Sequence, residues 1–197
     1  MITYSVIILI AMAIIATLNC FFNPLYSEHI WVYILAVTIL TILVILLDGL
    51  VAFIIRKMPE RWFSETKGFL RTGKREMKLF NFLRVQKWKE HVPELGSFTG
   101  FHKNKVTDPF DTEYMARFIL EARYGIAIHY ISVPLSFLIM LLDFKMYVGE
   151  SNLWLTVALP VACVNAVLIL LPAFVLKYNL PKLERIQAIN LKKQNKK

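Results

Sequence analysis

The first 55 residues of this 197-residue chain contain no lysine and no arginine. Positive charge is confined instead to two regions: fifteen Lys and Arg residues lie in 56–124 and seven in 177–197, and Lys145 is the only other one. The chain is also 57% hydrophobic, which is too apolar for an ordinary soluble domain. Together these features indicate a membrane protein whose cations mark one side of the bilayer.

The chain also lacks the motifs of several common enzyme classes. It has no phosphate-binding glycine loop, no Gly-x-Ser-x-Gly nucleophile elbow and no quartet of metal-ligating residues. Neither His91 nor His102 begins the His-x4-Asp pattern of soluble glycerolipid acyltransferases. We therefore expect any catalysis to be a direct transfer, with no metal and no bound cofactor.

Only two cysteines occur, Cys20 and Cys163, and they lie in different apolar stretches. Cys20 is near the end of its stretch, whereas Cys163 is roughly 16 Å deep at 1.5 Å per residue. A disulfide requires Cα atoms within about 7 Å of each other. Both thiols are therefore predicted to be free and to serve as small packing residues.

Four stretches are long enough to cross a bilayer, which takes about 20 apolar residues per helix. The first has neither a basic n-region nor a small-x-small cleavage site, so we expect a retained helix rather than a signal peptide. The predicted spans are residues 2–22, 30–55, 125–142 and 153–176.

The charge distribution predicts the orientation of these spans. By the positive-inside rule, the 56–124 segment, the 177–197 tail and both termini are cytoplasmic. The net charge of +9 then reflects topology and contact with anionic lipid headgroups rather than nucleic-acid binding. The predicted fold is all-α, with residues 1–197 forming one membrane domain: a four-helix transmembrane bundle with a cytoplasmic interfacial helical layer.

Aromatic residues alternate with Lys and Arg through residues 59–91. Only Gly68 and Gly73 in this segment disfavour a helix. One interpretation is a set of helices at the membrane interface, with aromatics towards lipid and cations towards water. The other is a stripe of core residues beneath a solvated face, and both interpretations can hold at once. The aromatic residues concerned are Trp62, Phe63, Phe69, Phe80, Phe82 and Trp88.

The next stretch, 91–113, contains two Pro and two Gly and is predicted to be an ordered loop or lid. Asp111 or Thr112 is placed to cap a following helix. This helix is expected to continue into the third span, with Gly125 near the junction.

His129 is the strongest candidate for chemistry, since it lies just inside the third span. Intramembrane ionisable groups usually face the protein interior or a wet cavity, and a neutral histidine is a natural general base. Glu121 is two helical turns earlier, so both side chains are able to border one cavity. The alternative for His129 is a hydrogen bond to another helix.

Two further polar residues lie inside predicted spans. Asp48 lies roughly 12 Å inside the second span and is a candidate partner for His129, although a structural interhelical bond is the alternative. Asn165 is predicted to join helices rather than to react.

Four stretches occur in an order that resembles a known family. Together they are similar to the small membrane-bound glycosyl-4,4′-diaponeurosporenoate acyltransferases, over roughly residues 58–187. These enzymes attach a fatty acyl chain to the sugar of a carotenoid glycoside. The stretches are "RVQKWKEHVPELG" at 84–96, "GFHKNKV" at 100–106, "RFILEARYGIAIHYI" at 117–131 and "KYNLPKLERI" at 177–186.

This resemblance implies roles for particular residues. The matching positions are Trp88, Lys89 and Pro93 in the first element, Glu121, Arg123 and His129 in the third, and Tyr178, Asn179 and Pro181 in the last. We expect His129, Glu121 and Arg123 to be catalytic. The expected substrate-binding residues are Trp88, Lys89, Tyr178 and Asn179. Asp48 is added to them because of its depth in the second span, not because of the resemblance.

The resemblance predicts a membrane acyltransferase that acts at the inner leaflet. His129 would take a proton from a hydroxyl of a lipid or glycolipid acceptor, and Glu121 or Asp48 would stabilise the imidazolium. Arg123, or cations of the 56–124 segment, would neutralise the oxyanion or a phosphopantetheine donor, either acyl-CoA or an acyl carrier protein. The alternative is a non-catalytic membrane assembly subunit, and a transporter is less well supported because no internal repeat occurs.

Overall fold

The computed structural model describes residues 2–22, 30–92, 106–142 and 152–195, and these contain helices and no strands. This confirms the predicted all-α class. The main helices are α1 Ile2–Phe22, α2 Ile30–Lys57, α3 Lys74–Phe82, α4 Val85–Trp88, α5 Thr112–Ser136 and α6 Leu159–Gln194. Short 3₁₀ segments cover Glu60–Trp62, Gly68–Leu70, Lys89–His91 and Phe137–Leu141, and a π-helical turn at Trp154–Ala158 precedes α6.

Four of the helical segments are long and apolar enough to cross a membrane: Ile2–Phe22, Ile30–Lys57, Thr112–Leu141 and Trp154–Gln194. Each overlaps one of the four predicted spans. The third begins at Thr112 because α5 starts well before the apolar run, as expected for a helix that continues into the span. The fourth extends further because α6 continues to Gln194 through Pro172 and Pro181.

The first turn of α5 shows which residue caps it. Asp111 Oδ1 accepts hydrogen bonds from the backbone N–H groups of Glu113 (2.8 Å) and Tyr114 (3.2 Å). These bonds satisfy two donors that a helix start otherwise leaves open. Asp111 is thus the N-cap, one of the two predicted candidates, and α5 continues into the third span as expected.

The chain divides into two compact units, and the first comprises Met1–Phe53 and Ile131–Leu170. Its core is built from small and β-branched side chains that let helices approach closely. Much of its remaining apolar surface is exposed, as expected where lipid rather than water surrounds a helix. The core residues are Ile15, Ala16, Tyr33, Ala36, Val37, Leu40, Val44, Ile139, Leu153, Val157, Ala158, Val161 and Ala162. Cys20 packs against this cluster, and both Cys20 and Cys163 are free.

Hydrogen bonds of polar side chains connect the helices of this first unit. Asn165 Nδ2 donates to Asp48 Oδ2 (3.0 Å) and to Ser136 Oγ (2.9 Å). Asn19 Nδ2 donates to the Thr156 carbonyl oxygen (2.9 Å). The predicted role of Asn165 in joining helices is therefore confirmed, and Asp48 has the interhelical bond that was the alternative for it.

The second unit comprises Ile54–Tyr130 and Leu171–Lys197. Its small core contains Phe80, Val85, Val175 and Tyr178, with Trp88 packed against them. By contrast, Trp62, Phe69 and Phe82 are exposed. One set of aromatics therefore builds the core, as one interpretation predicts. Contact of the exposed set with a bilayer surface stays a prediction.

The 59–91 segment has more interruptions than its sequence predicts. Gly68 has a φ of 55°, a conformation that favours glycine. Arg84 has a φ of 53°, which costs a non-glycine residue about 1–2 kcal/mol. The hydrogen bond from Trp88 Nε1 to the Leu83 carbonyl oxygen (2.8 Å) holds this turn between α3 and α4. The turn sets the direction in which the chain continues into α4.

Residues 177–194, predicted to be a basic tail, are the last five turns of α6. Lys177, Tyr178 and Leu180 are buried. Asn190 Nδ2 donates to the Pro109 carbonyl oxygen (2.6 Å), and the Thr112 and Gln194 side chains are hydrogen bonded. This part of the chain is thus a structural element of the second unit.

Candidate active site

Glu121 is held on α5 by an ion pair. Arg56, near the end of α2, donates from Nη1 to Glu121 Oε1 (3.4 Å) and from Nη2 to Oε2 (3.0 Å). Both residues are only partly buried, so the pair contributes modestly to stability. The carboxylate is accessible, and its charge is already compensated.

Arg123, on the same helix, is only 12% exposed and makes four hydrogen bonds. Its Nε donates to Thr66 Oγ1 (2.7 Å), and its Nη1 donates to the carbonyl oxygens of Phe63 (3.1 Å) and Ser64 (2.6 Å). Its Nη2 donates to Glu184 Oε1 on α6 (2.9 Å). Thr66 also donates to Glu184. Arg123 therefore clamps the 63–66 segment onto α5 and α6.

His129 lies on α5 about two turns after Glu121, which corresponds to roughly 12 Å of rise. It is half-buried and has an interaction partner. Asp48 belongs to the first unit and His129 to the second. Their pairing, and the base role of His129, stay predictions.

A hollow of about 610 Å³ adjoins Glu121 in the second unit. Its volume lies within the range of small-molecule sites, about 300–1,000 Å³. Carboxylates, guanidinium groups, an amide and one aromatic ring line it, which are groups that bind hydroxyl-rich molecules. The polar and aromatic lining residues are Glu60, Ser64, Arg117, Glu121, Arg123, Tyr124 and Gln187.

Two stretches far apart in sequence meet around Tyr178. Lys89 Nζ donates to Asn179 Oδ1 (3.3 Å), and Tyr178 Oη donates to Gln86 Oε1 (3.3 Å). Lys89 Nζ lies 5.8 Å and Lys182 Nζ 4.3 Å from the centre of the Tyr178 ring. The structure thus brings together three predicted binding residues, Lys89, Tyr178 and Asn179, and adds Lys182.

Trp88 has a structural role in this group of residues. Its indole N–H donates a hydrogen bond to the Leu83 carbonyl oxygen, and its ring packs against the core of the second unit. It therefore positions Lys89 through the turn rather than offering a free polar group.

Sequence reasoning missed the buried cation Lys177. This lysine is 1% exposed, donates to Glu76 (2.5 Å) and lies 4.8 Å from the centre of the Tyr130 ring. Thr72 Oγ1 donates to its carbonyl oxygen (2.7 Å). The signal was available, since Lys177 begins the "KYNLPKLERI" stretch, but nothing in that stretch predicts Glu76 as its partner.

Some predicted features lie outside the described residues. These are Pro93, His102 and most of the 91–113 loop. His91 is exposed at the end of the described part.

The four membrane-length helices are features of an integral-membrane protein. The second unit adds a hollow lined by charged side chains. Residues 59–189 match the family model described as glycosyl-4,4′-diaponeurosporenoate acyltransferase. The match covers more than half of the chain, so the protein belongs to this family and is a membrane acyltransferase. No curated protein and no solved structure matches the chain.

Proposed function

We propose that this protein transfers a fatty acyl group onto a hydroxyl of a lipid-linked, glycosylated acceptor at the inner leaflet, with a carotenoid glycoside as one such acceptor. The observation that carries the proposal is the convergence of three separate family stretches in one unit. Lys89 meets Asn179, and Arg123 meets Glu184, across more than 60 residues of sequence in each case. This arrangement supports a single site rather than separate surface motifs.

The reaction is an ester-forming transfer. The acceptor hydroxyl oxygen attacks the carbonyl carbon of an acyl thioester while an imidazole nitrogen of His129 takes the hydroxyl proton. The C–O bond forms, the C–S bond breaks, and the departing thiolate receives the proton from the imidazolium. General base catalysis of this kind typically supplies about 10²–10⁴-fold in rate.

The hollow beside Glu121 suits the hydroxylated head of the acceptor. Its volume and its mixed polar and aromatic lining support this assignment. The head would bind near Glu121, and the reactive hydroxyl would extend along α5 towards His129. Arg123 is able to stabilise the oxyanion only if it releases one of its four present acceptors, so we assign it to positioning the 63–66 wall.

Lipid mass spectrometry tests the reaction. Membranes that contain the wild-type chain and a glycolipid acceptor should accumulate an acylated species that is absent without the chain. Membranes with the His129→Ala variant serve as the control and should resemble those without the chain. Equal lipid profiles with and without the wild-type chain would favour a non-catalytic assembly subunit.

The cytoplasmic orientation of the second unit is tested by cysteine labelling. In a Cys20→Ala/Cys163→Ala background, a membrane-impermeant maleimide should label Lys145→Cys in intact cells. It should label Lys78→Cys only after permeabilisation, because 56–124 carries most of the positive charge. Labelling of Lys78→Cys in intact cells would contradict both the orientation and the inner-leaflet site.

A further inference from the structure

Lys89 and Lys182 converge on a second hollow of about 220 Å³. Both ammonium groups lie over the one Tyr178 ring, at 5.8 and 4.3 Å from its centre. Both lysines also line the hollow, and cations that line one hollow attract an anionic group. Tyr178 thus holds the two lysine side chains beside a hollow that suits a negative group.

No carboxylate among the described residues neutralises these two lysines. The salt bridges of this part of the chain involve other cations, namely Arg56, Lys67, Arg123 and Lys177. Glu90 lines the hollow, and none of the salt bridges among the described residues joins it to either lysine. Lys89 donates instead to the neutral Asn179 side chain, whose Nδ2 remains able to donate to a ligand.

The remaining walls of the hollow are apolar. Among the described residues, Val106, Phe118 and Leu183 are the apolar side chains of the lining. The site therefore combines two cations, one carboxylate, one amide and an apolar wall. The lysines outnumber the carboxylate, so the hollow suits a phosphate followed by an amide-containing, partly apolar arm. The volume is below the range of about 300–1,000 Å³ for drug-sized ligands, so it holds only a part of a larger molecule.

We propose that this hollow binds the phosphate and adjoining arm of the phosphopantetheine group that carries the acyl thioester. Acyl-CoA and acyl carrier protein share this group, so either donor satisfies the chemistry. Lys89 and Lys182 contact the phosphate, and Asn179 contacts the arm. The proposal rests on the acyl-transfer function proposed above and identifies where that function takes its donor.

The test is a binding measurement that needs no turnover. A non-reactive acyl-CoA thioether is titrated into the full chain in neutral-lipid nanodiscs. Lys89→Gln and Lys182→Gln should each raise the Kd roughly tenfold, because each removes a charge-assisted contact. Lys87→Gln is the matched control: Lys87 is exposed in the same basic stretch and does not line the hollow, so this variant should bind like wild type.

Two comparisons identify the ligand. An acyl-pantetheine thioether that lacks the phosphate should bind more weakly and show no difference between wild type and the two lysine variants. Competition between the acyl-CoA thioether and an acyl carrier protein thioether then shows which source binds, and binding of either one supports the site. Wild-type affinity in both lysine variants, or equal affinity with and without the phosphate, would overturn the proposal.

Failure of this site and failure of the proposed reaction are distinguishable. His129→Ala should bind the thioether with wild-type affinity and yet form product about 10²–10⁴-fold more slowly. If the lysine variants bind normally while wild type still acylates its acceptor, the donor site is elsewhere and the function stands. If they bind poorly while His129→Ala remains fully active, the donor site stands and the base assignment is wrong.

Discussion

Replacement of His129 by alanine should lower the acyl-transfer rate by about 10²–10⁴-fold, the usual contribution of a general base, and leave the melting temperature close to that of wild type. The residue is half-buried rather than enclosed in the core. Loss of its ring should therefore cost far less stability than a comparable truncation in a close-packed interior. The measurement is the turnover rate of purified protein in nanodiscs, compared with its thermal unfolding.

His91→Ala is the matched control, since it removes an exposed histidine of the same unit and should change neither quantity. Glu121→Gln should cause a milder loss of turnover, because the amide keeps the shape of the side chain but gives up the ion pair with Arg56. Full activity in a folded His129→Ala protein would remove His129 from the mechanism. A large fall in melting temperature would show instead that the imidazole is a structural hydrogen-bonding group.

The spans were predictable because each is a local property of the sequence. About 20 apolar residues make a membrane helix wherever they occur, and the capping side chain of Asp111 acts on the helix that follows it directly. Asn165 was also correctly predicted to join helices, since a lone amide in an apolar span has few other uses. Its partners Asp48 and Ser136 needed the tertiary structure, because hydrophobicity does not specify which helix faces which.

The geometry of the candidate site was much less predictable from the sequence than the spans were. Sequence spacing placed Glu121 and Arg123 on one helix with His129, but it could not show that Arg56 and Glu184 already compensate the charges of Glu121 and Arg123. It could not show that two stretches 90 residues apart meet around Tyr178 either. The path of residues 60–92 depends on backbone turns at Gly68 and Arg84, and a left-handed arginine has no sequence signature.

Replacement of Arg123 by alanine is expected to destabilise the second unit strongly. The change removes four hydrogen bonds and leaves Glu184 without its cation, and the loss should be on the order of 3 kcal/mol in the free energy of unfolding. Activity should fall together with stability, because the 63–66 wall loses its attachment to α5 and α6. Arg117→Ala, an exposed change on the same helix, is the control for stability and should leave the melting temperature nearly unchanged.

Two further variants distinguish a structural role of Arg123, as the clamp on the 63–66 segment, from a role as a catalytic cation. Arg123→Lys keeps the charge but cannot reach four acceptors in a fork-shaped arrangement, so it should recover only a small part of the lost stability. Glu184→Gln combined with Arg123→Ala should be less destabilising than the sum of the two single changes, by about 0.5–3 kcal/mol, since the partners share one network. A direct role in oxyanion stabilisation predicts a different pattern. Arg123→Ala would then keep the wild-type melting temperature and lose turnover alone. The stability losses of Arg123→Ala and Glu184→Gln would add in the double variant, which would show that the two side chains are not energetically coupled.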